Sequence, residues 1–269
     1  MKVVLFNAGL GNQIFTYLFC RYLQRHFPND KIYGSYWMGG LQVHEGLEVD
    51  KVFDIKLPPN TFLTDICSKL YIGLTKLGLR QFLEKHEFAR WNFVFDFQWL
   101  DQKYFKELSL KDELSFREEN IDARNMALAA VIRKEESVAV HIRRGDYLSK
   151  ENWNNFGRFC TLDYYHDSIS YIKSTISQPK FYFFSDDIDY AKKEFASENA
   201  VFVDFNKGKE SWKDMFLMSK CKHQIIANST FSYWAAQLAT NNDNHIVIAP
   251  KKWYIWEDPD IFPKEWLRM

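Results

Sequence analysis

The run Val138-Ala139-Val140-His141-Ile142-Arg143-Arg144-Gly145-Asp146-Tyr147 joins an apolar stretch to a charged turn. Val138–Ile142 is a short segment of the kind that parallel sheets bury on both faces. Side chains alternate along a strand, so Val138, Val140 and Ile142 share one face and His141 and Arg143 the other, and Arg144 opens the turn. Ligands of open parallel sheets bind at the carboxyl ends of strands. Two guanidinium groups beside Gly145 at such an end suit a diphosphate, which they grip bidentately. A plain surface turn in which Arg144 pairs with Asp146 fits the same residues. Arg144-Gly145-Asp146 also spells an adhesion triplet, which the cytosolic character of the chain discounts.

Downstream the pattern repeats. Apolar runs at Phe181–Phe184, Val201–Phe205, Gln224–Ala227 and His245–Ala249 read as further strands. Helical spacing fills the gaps: Leu162, Tyr165, Ile169, Ile172 and Ile176 form one face, and Phe231, Trp234 and Leu238 another. Alternating strand and helix implies a parallel sheet covered on both faces. Upstream, Val3–Phe6 reads as a buried strand, Asn7–Gly11 as a turn, and Ile14, Phe15, Leu18, Phe19, Tyr22 and Leu23 as a helix closed by Pro28. Leu63–Leu83 reads as mainly helical despite Gly73 and Gly78, Ile121–Arg133 as helical, and Glu87–Trp99 as aromatic-rich without a defined period. The expectation is an α/β chain of two units, 1–130 and 131–250. The tail 251–269, with Trp253, Trp256 and Trp266, is expected to pack back on the first.

Bulk properties narrow the function. With 35 basic and 35 acidic side chains in 269 residues, the chain lacks the basic excess on which general nucleic-acid and membrane-surface binders rely. Its aromatic content of 17% argues against disorder. Cys20, Cys67, Cys160 and Cys221 have neither CxxC spacing nor the density of a disulfide scaffold, which points to a reducing, cytoplasmic setting. No stretch reaches the roughly 18 apolar residues of a membrane span. Asn7, Asn12 and Gln13 interrupt the apolar run where a signal peptide would continue.

Other constellations carry two readings each. Asn228-Ser229-Thr230 stands between a strand and a helix; its hydroxyls suit a helix cap, and the free N–H groups there suit a phosphate. The same triplet is formally a glycosylation sequon. Gly9-Leu10-Gly11-Asn12-Gln13 has two glycines of a dinucleotide fingerprint but Ile14 at the third, so the fingerprint fails. What remains is a tight turn, or one whose Asn12 and Gln13 point at a ligand. In Ser185-Asp186-Asp187-Ile188-Asp189, Asp187 and Asp189 match an Asp-x-Asp that holds a divalent metal in some sugar transferases. Capping of the next helix by Ser185 or Asp186, with the acids complementing its dipole, is the preferred reading, because two arginines already supply the positive charge a diphosphate needs. The seven histidines form no metal-spaced motif, and no Gly-x-Ser-x-Gly elbow is present.

Taken together these motifs resemble glycosyltransferase family 11, the α-1,2-fucosyltransferases. The resemblance rests on Gly9–Phe15, His141–Tyr147, Phe183–Asp187, Asp214–Ser219 and Ile226–Ala236, with weaker echoes at His44–Glu48 and Gln98–Phe105, in order along nearly the whole chain. The sequence departs at Ala8, where Gly is usual, and at Tyr190 and Tyr233, where Trp is common. The resemblance implies a GT-B-like fold, two Rossmann-like domains facing a central cleft. It implies GDP-fucose as donor, held mainly by the C-terminal domain, and a galactose-terminated oligosaccharide or lipid-linked glycan as acceptor. No metal or other cofactor, no nucleic acid and at most peripheral contact with the inner face of the membrane are expected. Arg143 is expected on the β-phosphate, aided by Arg144 and oriented by Asp146; Ser229 and Thr230 on phosphate oxygens; Asp214 on guanine. Asn12, Gln13, His141, Asp186 and Asn228 complete the expected substrate site. No general base is singled out; His44, Glu45 and Asp163 fit by position or type only. A metal-dependent transferase using Asp187 and Asp189, a dehydrogenase and a non-catalytic sugar-nucleotide module remain as other readings.

Overall fold

The computed structural model describes residues 1–37, 41, 45–79, 82–83, 93–96, 99–239, 244–256 and 258–269. His44, Gln98 and the stretch 87–92, on which sequence expectations fall, lie outside the described residues. The chain divides into two units, Met1–Phe116 and Arg117–Met269.

In the first unit, β1 (Lys2–Leu5) is buried along its whole length. Its apolar side chains have no solvent-facing alternative, so it takes the central position of an all-parallel sheet. The turn after it leads into α1 (Leu10–His26). That helix starts on the Gly9 carbonyl, which accepts from the Asn12 and Gln13 amides at 3.0 and 3.1 Å. It buries Ile14, Phe15, Leu18, Phe19 and Leu23. Phe19 stacks on Trp99, with centroids 3.7 Å apart. Arg25 sits in its last turn, where a cation complements the helix dipole. The strand β2 (Ile32–Ser35), the helix α2 (Phe62–Leu74) and the strand β3 (Val94–Phe95) follow, giving the sheet order β2-β1-β3. Thr61 and Thr64 open α2 reciprocally: each backbone N–H donates to the other's hydroxyl, at 2.9 and 3.2 Å. Of the helix expected over Leu63–Leu83, α2 ends at Leu74 and passes into a wider turn to Leu79 in which Gly78 adopts φ +88°, the left-handed geometry that interrupts a helix; Phe82 and Leu83 are again helical.

The second unit opens with α3 (Ala123–Ile132), then β4 (Ser137–Ile142), α4 (Leu162–Thr175), β5 (Lys180–Ser185), α5 (Ile188–Glu194) and β6 (Ala200–Val203). It continues with α6 (Trp212–Ser219), β7 (His223–Ile225), α7 (Thr230–Gln237), β8 (Val247–Ala249) and β9 (Leu267–Arg268). All strands run parallel, in the order β6-β5-β4-β7-β8-β9. Val138, Val140 and Ile142 share a core with Ile169, Ile172, Phe181, Phe183, Ile225 and Ile248, on the face the alternation predicts. Each such side chain contributes about 1.5–3 kcal/mol by leaving water. The phenol of Tyr164 ties α4 to the sheet, donating to the Ile226 carbonyl at 2.7 Å, and that of Tyr165 donates to the His141 carbonyl at 2.9 Å.

The unit boundary falls between Phe116 and Arg117 rather than near 130. The reason is long-range: Asn125 on α3 exchanges amide hydrogen bonds with Asn206, at 2.9 and 3.0 Å, and Asp122 accepts from Lys213 Nζ at 2.8 Å. The tail likewise belongs to the second unit, where it was expected on the first. Leu267 and Arg268 pair with Ile248 and Ala249, and the Arg268 guanidinium donates to the Pro250 and Lys251 carbonyls at 2.8 and 2.7 Å. No helix among the described residues is long and apolar enough to cross a bilayer.

Candidate active site

At the carboxyl end of β4 the backbone turns at Gly145, which a larger residue would obstruct: a Cβ there would lie 2.6 Å from Asp186 Oδ2. The close approach lets Asp186, at the end of neighbouring β5, hold the turn from beneath. Its Oδ1 accepts from the Arg144 amide at 2.9 Å and its Oδ2 lies 2.9 Å from Arg143 Nη1. Arg143 is thus forked between two carboxylates, since its Nη2 donates to Asp146 Oδ1 at 2.7 Å. Both Arg143 and Arg144 remain partly exposed.

Arg144 is differently placed. Its Nε donates to Asp187 Oδ2 at 3.0 Å, and its guanidinium carbon lies over the Tyr190 ring, 3.6 Å from the ring centre. Asp187 Oδ1 in turn caps α5 through the Tyr190 amide at 3.2 Å. The acidic run does cap the helix, but the cap is Asp187 rather than the expected Ser185 or Asp186, and Arg144 is its ion-pair partner. No cluster of three metal-ligating side chains occurs among the described residues.

The next strand brings in the hydroxyl pair. Tyr147 donates to the Asn228 carbonyl at 2.9 Å, joining the turn after β4 to the turn after β7. The Asn228 side chain is consumed by scaffold: its Nδ2 donates to the Phe156 and Trp253 carbonyls at 2.8 and 2.9 Å, and Cys160 Sγ donates to its Oδ1 at 3.3 Å. Ser229 is the N-cap of α7, with its Oγ 3.4 Å from the Phe231 amide. Thr230 is the first helical residue and is partly exposed. His141 is buried against Phe231, and its Nδ1 has no hydrogen-bond partner among the described residues. Burial, reinforced by the Arg143 charge, pushes its imidazole down to about 3, so it stays neutral across the physiological range.

Asp214 lies in the first turn of α6, mostly buried, with Asn206 Nδ2 donating to its Oδ1 at 2.8 Å. No cation pairs with it among the described residues, and burial pushes its carboxyl up to about 7 against the lowering effect of Asn206. Asn125 and Asn206 were not singled out from sequence. They aim this carboxylate through a side-chain relay that begins at Asp122, and two asparagines so far apart in the chain carry no local signal.

In the first unit, Gln13 is fully buried and fully engaged. Its Nε2 donates to the Ala8 and Gly46 carbonyls at 3.0 and 2.8 Å, and its Oε1 accepts from the Glu48 and Val49 amides at 2.9 and 3.2 Å. It locks the glycine turn to the Gly46–Val49 segment rather than pointing at a ligand. Asn12 is partly exposed, with an Oδ1 that is buried and without a partner among the described residues. Glu45 is exposed, and Asp163 sits in the first turn of α4. Glu48, which closes the His44–Glu48 echo but was given no site role from sequence, is buried; burial, with the Glu45 charge beside it, pushes its carboxyl up to about 7.

The sequence pattern of glycosyl transferase family 11 matches residues 48–269. The chain belongs to glycosyltransferase family 11. An α-1,2-colitosyltransferase of Escherichia coli is 33% identical to it over 97% of this chain and 96% of its own length. Galactoside α-(1,2)-fucosyltransferase 1 of Saimiri boliviensis boliviensis is 27% identical over 55% of this chain and 40% of its own length. The crystal structure of the fucosyltransferase NodZ from Bradyrhizobium superposes with a TM-score of 0.57 at 17% identity, covering 88% of this chain and 93% of that one. At that identity the likeness speaks for the fold, which is α/β and GT-B-like with two Rossmann-like units. This family 11 member is a glycosyltransferase.

Proposed function

We propose that the chain transfers L-fucose from GDP-β-L-fucose to the 2-hydroxyl of a terminal galactose, with inversion and without a metal. The observation that carries this reading is the Arg143 fork at the carboxyl end of a central strand, linked through Tyr147 to the hydroxyl-bearing start of α7. In the reaction the bond from fucose C1 to the β-phosphate oxygen breaks, the bond from C1 to the galactose oxygen forms, and the hydroxyl proton is released. Negative charge grows on the departing diphosphate, and preorganised donors that meet it lower the barrier. The β-phosphate takes the place of Asp146, the more exposed partner of Arg143. Arg144 acts one step behind, holding Asp187 and the turn in register, while Ser229, Thr230 and the first amides of α7 receive phosphate oxygens. Asp214 reads the guanine edge, where two N–H donors suit a carboxylate.

The family 11 relative named for colitose supports a second reading of the donor sugar. Colitose is fucose without the 3-hydroxyl, so the two readings share one leaving group and one phosphate site. Turnover of GDP-fucose and GDP-colitose against a panel of β-galactosides, with the linkage read by NMR, tests both. An α-1,2-fucosyl product supports the first reading, and a product from GDP-colitose alone supports the second. GDP-fucose binding without GDP release on any acceptor means a binding module. Loss of turnover in EDTA with recovery in manganese overturns metal independence.

A further inference from the structure

The helix α2 is inside out. Against the sheet of the first unit it turns Thr64, Ser68 and Tyr71, with Cys67 and Ile72 half-buried beside them. Toward solvent it turns Phe62, Leu63, Ile66, Leu70 and Leu74, and the wider turn that follows adds Leu77 and Leu79. Phe62, Leu70 and Leu77 are 82%, 66% and 79% exposed. A three- and four-residue spacing places Phe62, Leu63, Ile66, Leu70 and Leu74 on one face of α2, and Leu77 follows exposed in the wider turn. A contiguous apolar face of this kind on a surface helix marks a docking site rather than a scatter of surface residues.

The charges on this surface say what it docks against. From residue 62 to residue 79 every exposed residue is apolar, glycine or lysine, the lysines being Lys69 and Lys76. The acid of the segment, Asp65, is turned inward, where its Oδ1 accepts from Asn60 Nδ2 at 3.0 Å and from Ser35 Oγ at 3.3 Å. An apolar stripe edged by cations and free of exposed acids complements an anionic lipid surface. A second copy of the same face would bring lysine toward lysine with no acid between them. At 13 residues α2 is too short to cross a bilayer.

We propose that the outer face of α2 seats on an anionic bilayer surface, with Phe62, Leu63, Ile66, Leu70, Leu74 and Leu77 in the acyl boundary and Lys69 and Lys76 at the lipid phosphates.

Flotation of the full chain with phosphatidylcholine vesicles, with and without phosphatidylglycerol, tests this. The unaltered chain is expected to float with the phosphatidylglycerol vesicles. Leu70→Gln with Leu77→Gln is expected to lower the partition roughly tenfold or more per leucine. Lys69→Glu with Lys76→Glu is expected to lower it several-fold at low salt, with the difference fading at high salt. Both double variants are first matched to the parent by tryptophan-monitored melting. No flotation of the parent chain, or equal flotation of a folded leucine variant, overturns the proposal. So does a dimer in gel filtration that the leucine variant dissolves while vesicles recruit neither protein.

Discussion

The turn after β1 and the turn after β4 occupy equivalent places, each following the central or near-central strand of a parallel sheet. Their chemistry differs. The first is neutral: the buried amide of Gln13 makes four hydrogen bonds to backbone, and Asn12 Oδ1 is left without a partner among the described residues. The second is ionic and partly exposed: Arg143 and Arg144 are matched against Asp146, Asp186 and Asp187. A place at the carboxyl edge of a sheet is therefore not enough to gather charged side chains. The first turn spends Gln13 on holding loops together, whereas the second holds its charges in ion pairs that, on the proposed function, the donor diphosphate rearranges.

The sharpest way to break this contrast is Arg143→Ala, expected to lower kcat by a hundredfold or more, with Arg143→Lys close behind because an ammonium cannot fork. Steady-state kinetics with GDP-fucose measure it, and a Lys variant of near-parental rate would contradict the assignment. Gln13→Ala is expected to act on stability instead, costing roughly 2–3 kcal/mol in denaturant unfolding because buried partners are left unsatisfied. A kcat loss in Gln13→Ala without any loss of stability would erase the distinction between the turns.

Asp214→Asn is expected to weaken GDP binding about tenfold, as a charge-assisted pair is lost. In the parent chain the folded-state carboxyl titrates well above its unfolded value. Its contribution to stability is therefore present at low pH and lost as the pH rises through about 7. Asp214→Asn should accordingly raise Tm at pH 8, on the order of 1 kcal/mol or more in stability, while GDP affinity of the parent should fall as the pH drops below about 7. Calorimetry across pH checks both signs. The smallest effect is expected for Asp146→Asn: a few-fold loss in kcat/KM, because Asp186 retains its hold on Arg143 and an exposed pair contributes little.

Periodicity made β4, the strands β5 to β8 and the two long helices α1 and α4 legible, because burial leaves few options for such segments; β9, in a tail without apolar period, was not. It could not say which face of α2 meets the core: spacing groups Phe62, Ile66 and Leu70 together, but only tertiary packing shows Thr64 and Ser68 turned inward. The boundary at 116 escaped for a related reason, since α3 is bound to the second unit by an amide pair, Asn125 with Asn206, spanning 81 positions. In the site, the strand-end placement of Arg143 was readable from alternation. The partition of labour between the two arginines was not, because it depends on Tyr190 lying under one of them and Asp186 under the other.

Asp146, Asp186 and Asp187 leave neither Arg143 nor Arg144 bare at the mouth of β4. Free sulfate, chloride or metabolite carboxylates meet a seat already filled, and must evict a tethered rival whose local concentration never falls. On the proposed function, a nucleotide carrying two phosphates and a base competes through several simultaneous grips, and after turnover the same tethered acid is at hand to help the spent nucleotide depart.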